Sequence, residues 1–528
     1  MSLWQRALLG AVATLVQGAA LAEPLQRITP QAAYAEIAHS GGLWKKQIDG
    51  DLDVAKMKPP PGAKLILLQE VQLEGRLHSS ADGPAVALRI DKSRLQKVDL
   101  GGSRWSAPLE IESSMVKIST VFENAQFDAA FLLYDTTFDG LARFGGARFA
   151  APVEITRSTF TSSPTGTSYV SFTEARFAAP ARFDHSKFLG AGVRFDGSRF
   201  AADASFLGVE VTGQASLINV VFRGDAEFRF CRLGDADFGR ANEIVQISVF
   251  MQMADFRGCT MRSLHLDYAD ARGDMLLVNV HVAPGDLTLR HASLRGARND
   301  FSGLQVAGRL DLEGAQIANL QLRWFEISDA LRRSQPGIAV LGPLQRRLEE
   351  LKHDEEAREV SAMVAERVID KRLAPPDMSV DKALAWVERI VWGSATGYGT
   401  RLGRIVGVAL SCWVVLALPV ALVRGVRIGR LLAATDKASP LYHPVAADAL
   451  QPPPASATAR GLQKLAYAFA LMFTLPDLRL RPAEPMSAAW LGYLLFMRGA
   501  GLGLLVLMAL TLANVSPAIQ AVLGKIVG

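Results

Sequence analysis

The side chains best suited to chemistry in this 528-residue sequence are eight histidines and the carboxylates near two of them. His265, Asp267, Asp270 and His281 are close in sequence, and imidazole and carboxylate groups are ligands of zinc and related cations. No pair of histidines has the spacing of paired metal ligands; the eight are His39, His78, His185, His265, His281, His291, His353 and His443. Because imidazole and acidic groups on a protein surface are usually solvated, the sequence predicts neither a metal site nor a cofactor.

Other arrangements that carry catalysis are also missing from the sequence. There is no G-x-S-x-G nucleophile elbow, no Walker loop and no H-E-x-x-H zinc motif. The three cysteines, Cys231, Cys259 and Cys412, are too few for a disulfide framework. An enzyme on the exterior of the fold has no residue to nominate it, so we expect a protein without catalytic activity.

A five-residue period dominates the middle of the chain. From about Thr120, a large apolar residue, mostly Phe, recurs with a small residue two positions before it. Neither a helix nor a flat strand has this period, whereas a chain that turns a corner every five residues closes a square coil after four faces. Cys231 and Cys259 occupy the small position, which favours buried thiols over a disulfide. The predicted core includes Phe127, Phe144, Phe149, Phe177, Phe183, Phe188, Phe195, Phe200, Phe228, Phe238 and Phe256.

This pattern resembles the pentapeptide-repeat family, whose motif is A-(D/N)-L-x-x, with Phe here mostly in the place of the central Leu. The segments that carry the resemblance include "ADFGR" at residues 236–240 and "ARFDH" at residues 181–185. The resemblance implies a mainly β fold, a right-handed quadrilateral β-helix. Some soluble members imitate duplex DNA with a negatively charged rod, but residues 121–240 contain 14 acidic and 12 basic residues. A nearly neutral rod disfavours this mimicry, and we expect no nucleic-acid partner.

The two ends of the chain differ from this repeat. Residues 1–22 have a basic start, an apolar run and small residues at Ala20 and Ala22, which predicts a secretory signal peptide; an uncleaved anchor is the alternative, and both export the middle of the chain. We expect an N-terminal cap and irregular first coils over residues 23–119, with a short helix near Tyr34, and the repeat β-helix over residues 120–325. An amphipathic helical cap and interfacial linker would follow over 326–400, and a membrane domain over 401–528.

Charged helices precede the membrane domain. Apolar residues at spacings of three and four predict a helical hairpin that covers the last coil and ends at Pro375; they are Leu344, Leu348, Leu351, Val360, Met363, Val364 and Val368. Residues 405–423 and 488–513 are then long and apolar enough to span a bilayer. Residues 465–475 are apolar but too short, which predicts a re-entrant or interfacial helix.

This ending resembles the two-helix, pore-loop module attached to certain bacterial pentapeptide-repeat membrane proteins. The resemblance rests on "TGYGTRLGRIV" before the first span and "AYAFALMFTLPDLRLRP" between the spans. Those relatives have a threonine-rich loop ending in G-x-G-D, whereas Phe473, Thr474, Leu475, Pro476 and Asp477 include no glycine. A potassium filter needs consecutive carbonyls facing the ion, which glycine permits, so the filter position is predicted to be degenerate. "GSATGYGT" at residues 393–400 precedes the first span and is predicted to be an interfacial turn.

Charge distribution predicts a topology. With a cleaved signal, the loop between the spans is cytoplasmic; its many arginines and lysines agree with the positive-inside rule, although Arg389, Arg401 and Arg404 before the first span weaken the contrast. Arg498 interrupts the second span; it pairs with Asp477 or lipid phosphate, lines the interior of an assembly, or snorkels to the interface. Three glycines follow it and would let another helix approach, which predicts a homo-oligomer; they are Gly499, Gly501 and Gly503.

These observations lead to two functional hypotheses. The first is a membrane-anchored repeat protein of the bacterial inner membrane, whose periplasmic rod is a non-catalytic interaction or scaffold module for an unknown protein partner. The second is an oligomeric ion-channel-like protein of non-potassium selectivity, for which Phe473, Thr474, Asp477 and Arg498 are the candidate residues. In both hypotheses membrane lipid is a partner.

Overall fold

The structure, a computed structural model, describes residues 25–161, 169–239, 247–374, 380–394, 397–398, 402–422 and 488–515, together with positions 462, 465, 468–469 and 471–473. The chain divides into two compact units, Met1–Val340 and Leu341–Gly528. The predicted signal peptide, the candidate residues Thr474 and Asp477, and the Pro-rich stretch after the first span lie outside the described residues.

The first unit is a parallel β-solenoid of about 13 turns, which confirms the predicted fold class. Within the described residues, one sheet contributes a single strand to each coil, a second forms another face, and the third covers the remaining two faces. Every strand pairs in parallel with the equivalent strand of the next coil; for example, Phe131 lies between Leu109 and Val153. The coil therefore repeats its backbone hydrogen bonds along the whole rod.

The strands of the three sheets have the following bounds in the described part of the chain. Sheet I contains Gly42–Trp44, Leu65–Gln69, Ala87–Asp91, Leu109–Glu112, Phe131–Tyr134, Val153–Thr156, Ala181–Arg182, Ala204–Ser205, Ala226–Glu227, Ala254–Asp255, Met275–Leu276, Asn299–Asp300 and Leu320–Gln321. Sheet II contains Arg104–Trp105, Gln126–Phe127, Arg148–Phe149, Arg176–Phe177, Arg199–Phe200, Val221–Phe222, Val249–Phe250, Asp270–Ala271, Ser293–Leu294 and Gln316–Ile317. Sheet III contains Gln26–Ile28, Lys46–Ile48, Leu52–Asp53, Gln72–His78, Arg94–Asp99, Met115–Val121, Thr137–Asp139, Leu141–Arg143, Thr159–Thr161, Val170–Ser171, Lys187–Leu189, Gly192–Arg194, Glu210–Ser216, Arg232–Asp237, Thr260–His265, His281–Val282, Leu287–Thr288, Gln305–Val306 and Leu310–Asp311.

Phenylalanine rings fill the axis of the rod. Phe177 stacks on Phe149 with ring centroids 5.0 Å apart and on Phe200 at 4.5 Å. All eleven residues of the predicted core are buried. Side chains alternate in and out along a strand, so one inward ring per face accumulates into a column parallel to the axis.

In the described residues, the five-residue period is interrupted on sheet III. Leu109, Phe131 and Val153 are 22 residues apart in succession, rather than four times five, and the extra residues lie at the bend between the two faces of sheet III. Gly140 marks this bend with a φ of 89°, and a Cβ there would lie 2.2 Å from the carbonyl oxygen of Ile118. Regular pairing also begins well before Thr120, since Leu65–Gln69 pairs in unbroken register with Ala87–Asp91. On sheet III the register shifts after Leu73 and again after Val116.

A helix closes the first coil. It runs over Pro30–Ser40, where Pro30 stands in the first turn and the Thr29 hydroxyl accepts a hydrogen bond from the backbone N–H of Ala32. Ala33 and Ile37 are buried. A single 3₁₀ turn, Val54–Lys56, follows later in this unit. The expected N-terminal helix is therefore present and longer than predicted.

A second helix, Trp324–Arg333, covers the last coil. It lies mostly within residues 326–400, for which the sequence predicts an amphipathic helical cap. Trp324 and Leu331 are buried, the guanidinium of Arg333 donates to the carbonyl oxygens of Ala307 and Gly308, and Glu326 accepts a hydrogen bond from the backbone N–H of Gly303. These bonds satisfy backbone groups that the end of a solenoid leaves open. The sequence analysis placed this cover in the later hairpin, whose helices begin at Ile338 and Asp354.

The second unit is helical. The predicted hairpin forms two helices in which Leu344, Leu348, Val360 and Met363 are buried, while Val368 is exposed. Two later helices contain windows, Gly403–Val420 and Gly492–Ala513, that are long and apolar enough to cross a membrane. The helices of this unit are Ile338–Glu350, which begins just before the boundary, Asp354–Leu373, Val380–Glu388, the π-helical Arg389–Ser394, Leu402–Leu422 and Ala488–Val515; the described positions from 462 to 473 are also helical.

Phe177→Ala should lower the free energy of unfolding by about 3 to 5 kcal/mol, because the cavity removes contacts with a ring above and a ring below. Hydrogen exchange of the full-length protein in detergent, followed by mass spectrometry on peptides from residues 169–210, measures this change. Phe325→Ala is the matched control, since Phe325 is 69% exposed. Equal protection in the two variants would contradict the stacked core.

Candidate functional site

The structure gives each residue of the suspected metal cluster a different partner. Nδ1 of His265 lies 3.0 Å from the Thr288 hydroxyl, and Nδ1 of His281 lies 3.2 Å from Oε1 of Gln305. Asp267 accepts hydrogen bonds from the backbone and guanidinium of Arg290. In the described part of the chain, no group of three or more His, Cys, Asp or Glu side chains could hold a metal ion. These residues therefore stabilise neighbouring coils.

Asp270, the remaining member of that cluster, forms a buried ion-pair centre. Burial by itself would raise the pKa of Asp270, but hydrogen bonds from Arg295 and Arg272 outweigh it and hold the pKa below its ordinary value. Arg272 lies two residues away and Arg295 on the next coil, so the carboxylate links two coils. A carboxylate so engaged is a structural anion, not a general base.

The thiols of Cys231 and Cys259 occupy the small inward position of successive coils. Both are free and buried, and their sulfur atoms lie 2.9 Å and 2.7 Å from the carbonyl oxygens of Phe206 and Phe228. Burial raises the pKa of the Cys231 thiol well above its ordinary value. Ser186 fills the equivalent site two coils earlier and donates to the Ile155 carbonyl oxygen, so the cysteines act as buried hydrogen-bonding groups without nucleophilic character.

A shallow groove of about 570 Å³ crosses four coils on the outside of sheet I. Its carboxylates are already engaged: Asp203 and Asp225 accept hydrogen bonds from backbone N–H groups of the following coil, and Asp255 is clasped by the guanidinium of Arg257. The Nε of Arg229 is buried and has no hydrogen-bond partner, although Arg229 forms an ion pair with Glu227. No nucleophile and base are paired in this groove.

At the membrane end, the described part of the short helix packs against both apolar helices. Ala468, Leu471 and Met472 form one buried cluster with residues of the helices Leu402–Leu422 and Ala488–Val515, namely Ala417, Val420, Leu494 and Met497. Phe473, a predicted functional residue, is partly buried against this cluster and lies 5.0 Å from the ring of Phe469. Phe473 is thus a packing residue in the position that it occupies here.

Two hydrogen bonds and one glycine fix these three segments. The Tyr493 hydroxyl donates to the Leu416 carbonyl oxygen at 2.7 Å, and the indole N–H of Trp413 donates to the Leu465 carbonyl oxygen at 3.3 Å. Gly501 is so close to the short helix that a Cβ there would lie 2.0 Å from the carbonyl oxygen of Met472. The sequence analysis named Gly501, together with Gly499 and Gly503, but assigned all three to contacts between chains.

The other two glycines and Arg498 are placed differently. A Cβ at Gly499 or Gly503 would meet nothing within 4 Å. The side chain of Arg498 is partly exposed on a continuous helix, and its proposed partner Asp477 lies outside the described residues. Of the two membrane candidates that the structure describes, Phe473 packs against the helix that carries Arg498.

The "GSATGYGT" stretch begins at the end of a helix. The backbone N–H of Gly397 donates to the Gly393 carbonyl oxygen, and that of Tyr398 donates to the Trp392 carbonyl oxygen. Gly397 and Tyr398 both have positive φ and form a turn, as expected; its position at a membrane interface stays a prediction. Burial and nearby carboxylates, Glu366 first among them, raise the pKa of Tyr398, so this phenol stays neutral at physiological pH.

Comparison with protein families agrees with the solenoid. The family model for pentapeptide repeats, described as nine copies, matches residues 167–210. This chain carries pentapeptide repeats. The matched stretch covers the coils in which Phe177, Phe183, Phe188, Phe195 and Phe200 stack in the core. No curated protein and no solved structure matches the chain.

Gly501→Leu should destabilise the helical unit by about 1 to 3 kcal/mol, because the new side chain overlaps the backbone of Met472. Thermal unfolding of the full-length protein in detergent, followed through tryptophan fluorescence, measures the shift. Gly492→Leu adds the same side chain to the same helix in open space and should leave the transition unchanged. A larger effect at Gly492 than at Gly501 would contradict the described packing.

Proposed function

We propose that the chain is a membrane-anchored interaction or scaffold protein of the bacterial inner membrane, with its repeat rod on the periplasmic face. The observation that carries this proposal is the combination, in one chain, of a long solenoid with an apolar core and two helices apolar enough to span a bilayer. A rigid rod offers a large fixed surface, and its tether would hold that surface at the membrane.

The absence of paired catalytic groups in the described residues supports a non-catalytic role. The charged residues considered above serve to join coils, as Asp270 does through Arg272 and Arg295. The signal-like sequence of residues 1–22 and the basic residues between the spans support an exported rod. The partner proposed for this rod is a protein, and the proposed assembly is a homo-oligomer through the membrane helices.

Photo-crosslinking tests this function in intact cells. A benzophenone amino acid in place of Tyr134, which is 41% exposed, should give adducts with a protein neighbour, identified by mass spectrometry. The same amino acid in place of the buried Phe183 is the control and should give none. Protease added to spheroplasts should digest the rod. Adducts with only lipid and the chain itself, or a rod protected in spheroplasts and cleaved in inverted vesicles, would contradict the proposal.

A second candidate function is ion conduction by an oligomer of the membrane unit. It rests on the packing of the short helix against both apolar helices, which is the arrangement that a pore helix requires, although the sequence after Phe473 has no filter glycine. In this hypothesis Arg498 and Asp477 set the preference between anions and cations.

Planar-bilayer recordings of the purified protein test this second function. Currents should appear, and Arg498→Gln and Asp477→Asn should shift the reversal potential in opposite directions under a salt gradient, because they remove charges of opposite sign. Leu495→Ala, an exposed position on the same helix as Arg498, should leave the reversal potential unchanged. Silent bilayers over a range of voltage and membrane tension would exclude conduction.

A further inference from the structure

One face of the rod carries a row of arginines in register. On sheet II, Phe149, Phe177 and Phe200 point into the core, and the residue before each of them points outward. These outward residues are Arg148, Arg176 and Arg199, which are exposed and occupy the same position in three successive coils. Because paired strands lie about 4.8 Å apart, the row places one positive charge per coil along a straight line.

Small side chains flank this row. The next outward positions on the same strands and turns are Ala150, Ala178 and Ala201, all exposed, and the following coil adds Arg223. We call the surface formed by these seven residues the arginine face. Because its alanine side chains are small, they leave space beside the guanidinium groups, where a flat ligand can lie across several coils.

Arginines elsewhere on sheet II are neutralised. Two coils before Arg148, the guanidinium of Arg104 donates to Asp128 at 2.7 Å. After it, Arg272 and Arg295 share the carboxylate of Asp270. Within the described residues, by contrast, Arg148, Arg176, Arg199 and Arg223 have neither an ion pair nor a side-chain hydrogen bond. The anions that compensate Arg104, Arg272 and Arg295 therefore have no counterpart along the arginine face.

Like charges directly opposite each other on neighbouring strands destabilise a sheet. The aligned arginines, which have no ion pair, thus carry a cost that an external anion would offset. Guanidinium groups bind carboxylates through two parallel hydrogen bonds, and a fixed row presents several such forks at once.

We propose that the arginine face binds a linear acidic polysaccharide that carries carboxylates on successive sugars. An extended sugar chain can lie parallel to the rod axis. Its carboxylates would then contact the row of guanidinium groups, and its ring faces would pack on the alanines. Duplex DNA fits less well, because its phosphates follow two curved strands with a charge every 3.4 Å per strand, whereas the row is straight and has one charge per coil. This inference rests on the proposed function only in that the rod is an interaction module.

The test uses the full-length protein in nanodiscs of neutral lipid and a polyuronate, alginate, as the probe. Isothermal titration or biolayer interferometry should detect binding that weakens with salt. The variant R148Q/R176Q/R199Q should bind at least tenfold more weakly, and the slope of log affinity against log salt should fall by about 2, since three charge contacts are lost.

The matched control is R89Q/R262Q/R309Q, which removes the same charge from arginines that are paired with Glu112, Asp235 and Asp286 on other faces. This control should bind alginate like the unchanged protein, and circular dichroism should show that both variants are folded. Equal loss in the two variants would reduce the effect to net charge and overturn the inference. Absence of alginate binding would overturn it too, even if crosslinking still recovers a protein neighbour as the proposed function requires.

Two further probes distinguish other polyanions. Duplex DNA and vesicles containing an anionic phospholipid are titrated in parallel at the same ionic strength. Tighter binding of either, lost in R148Q/R176Q/R199Q, would assign the arginine face to that class and overturn the polysaccharide. Preference for alginate, lost only in this variant, would support the inference.

Discussion

In-register stacking of parallel coils is the constraint on which the rod depends. Because each strand pairs with the equivalent strand of the next coil, every inward side chain meets the same position above and below it. The rings of Phe144, Phe172 and Phe195 are 4.4 Å and 4.8 Å apart in succession, with interplanar angles of 9° and 6°. Phenylalanine suits this geometry, since a flat ring fills the coil spacing and stacks on its neighbours. The hydrogen bonds and the aromatic columns thus enforce the same register.

The same register governs the outer surface. Equivalent outward positions of successive coils lie next to each other, so the charges on the surface are arranged in columns along the rod. Where acids and arginines are offset by one coil, they pair, as in Arg290 with Asp267 and Arg309 with Asp286. Where arginine repeats at one position, no neighbour in the column can neutralise it. The overall charge balance that the sequence reports is therefore a poor guide to the surface, because a nearly neutral stretch can still present one strongly basic face.

The sequence predicted the repeat well because its signal is local and repeated: one bulky and one small residue every five positions define the coil without reference to distant contacts. The extra residues on sheet III appear in the sequence only as interruptions of the five-residue period. The chain accommodates them at bends such as Gly140, which the period does not reveal. The sequence did not identify the helix Trp324–Arg333 as the cover of the last coil for a related reason. Its role depends on Gly303 and Ala307, whose exposed backbone groups exist only once the last coil has formed. The arginine face is present in the sequence as a recurring Arg-Phe pair, but only the structure shows that these arginines occupy the same position in successive coils.

The membrane unit follows a different logic from the rod. Its apolar helices were predictable from composition, because length and hydropathy alone decide whether a helix can span. Their packing was not, since it depends on single residues: the close approach at Gly501, and the polar tips of Tyr493 and Trp413 that hydrogen-bond to carbonyl oxygens on neighbouring segments. In an apolar environment the hydrophobic effect does not hold helices together, so close packing and such hydrogen bonds must do so. Gly501 makes its close contact within the chain, whereas Gly499 and Gly503, one helical turn apart, have open space beside them.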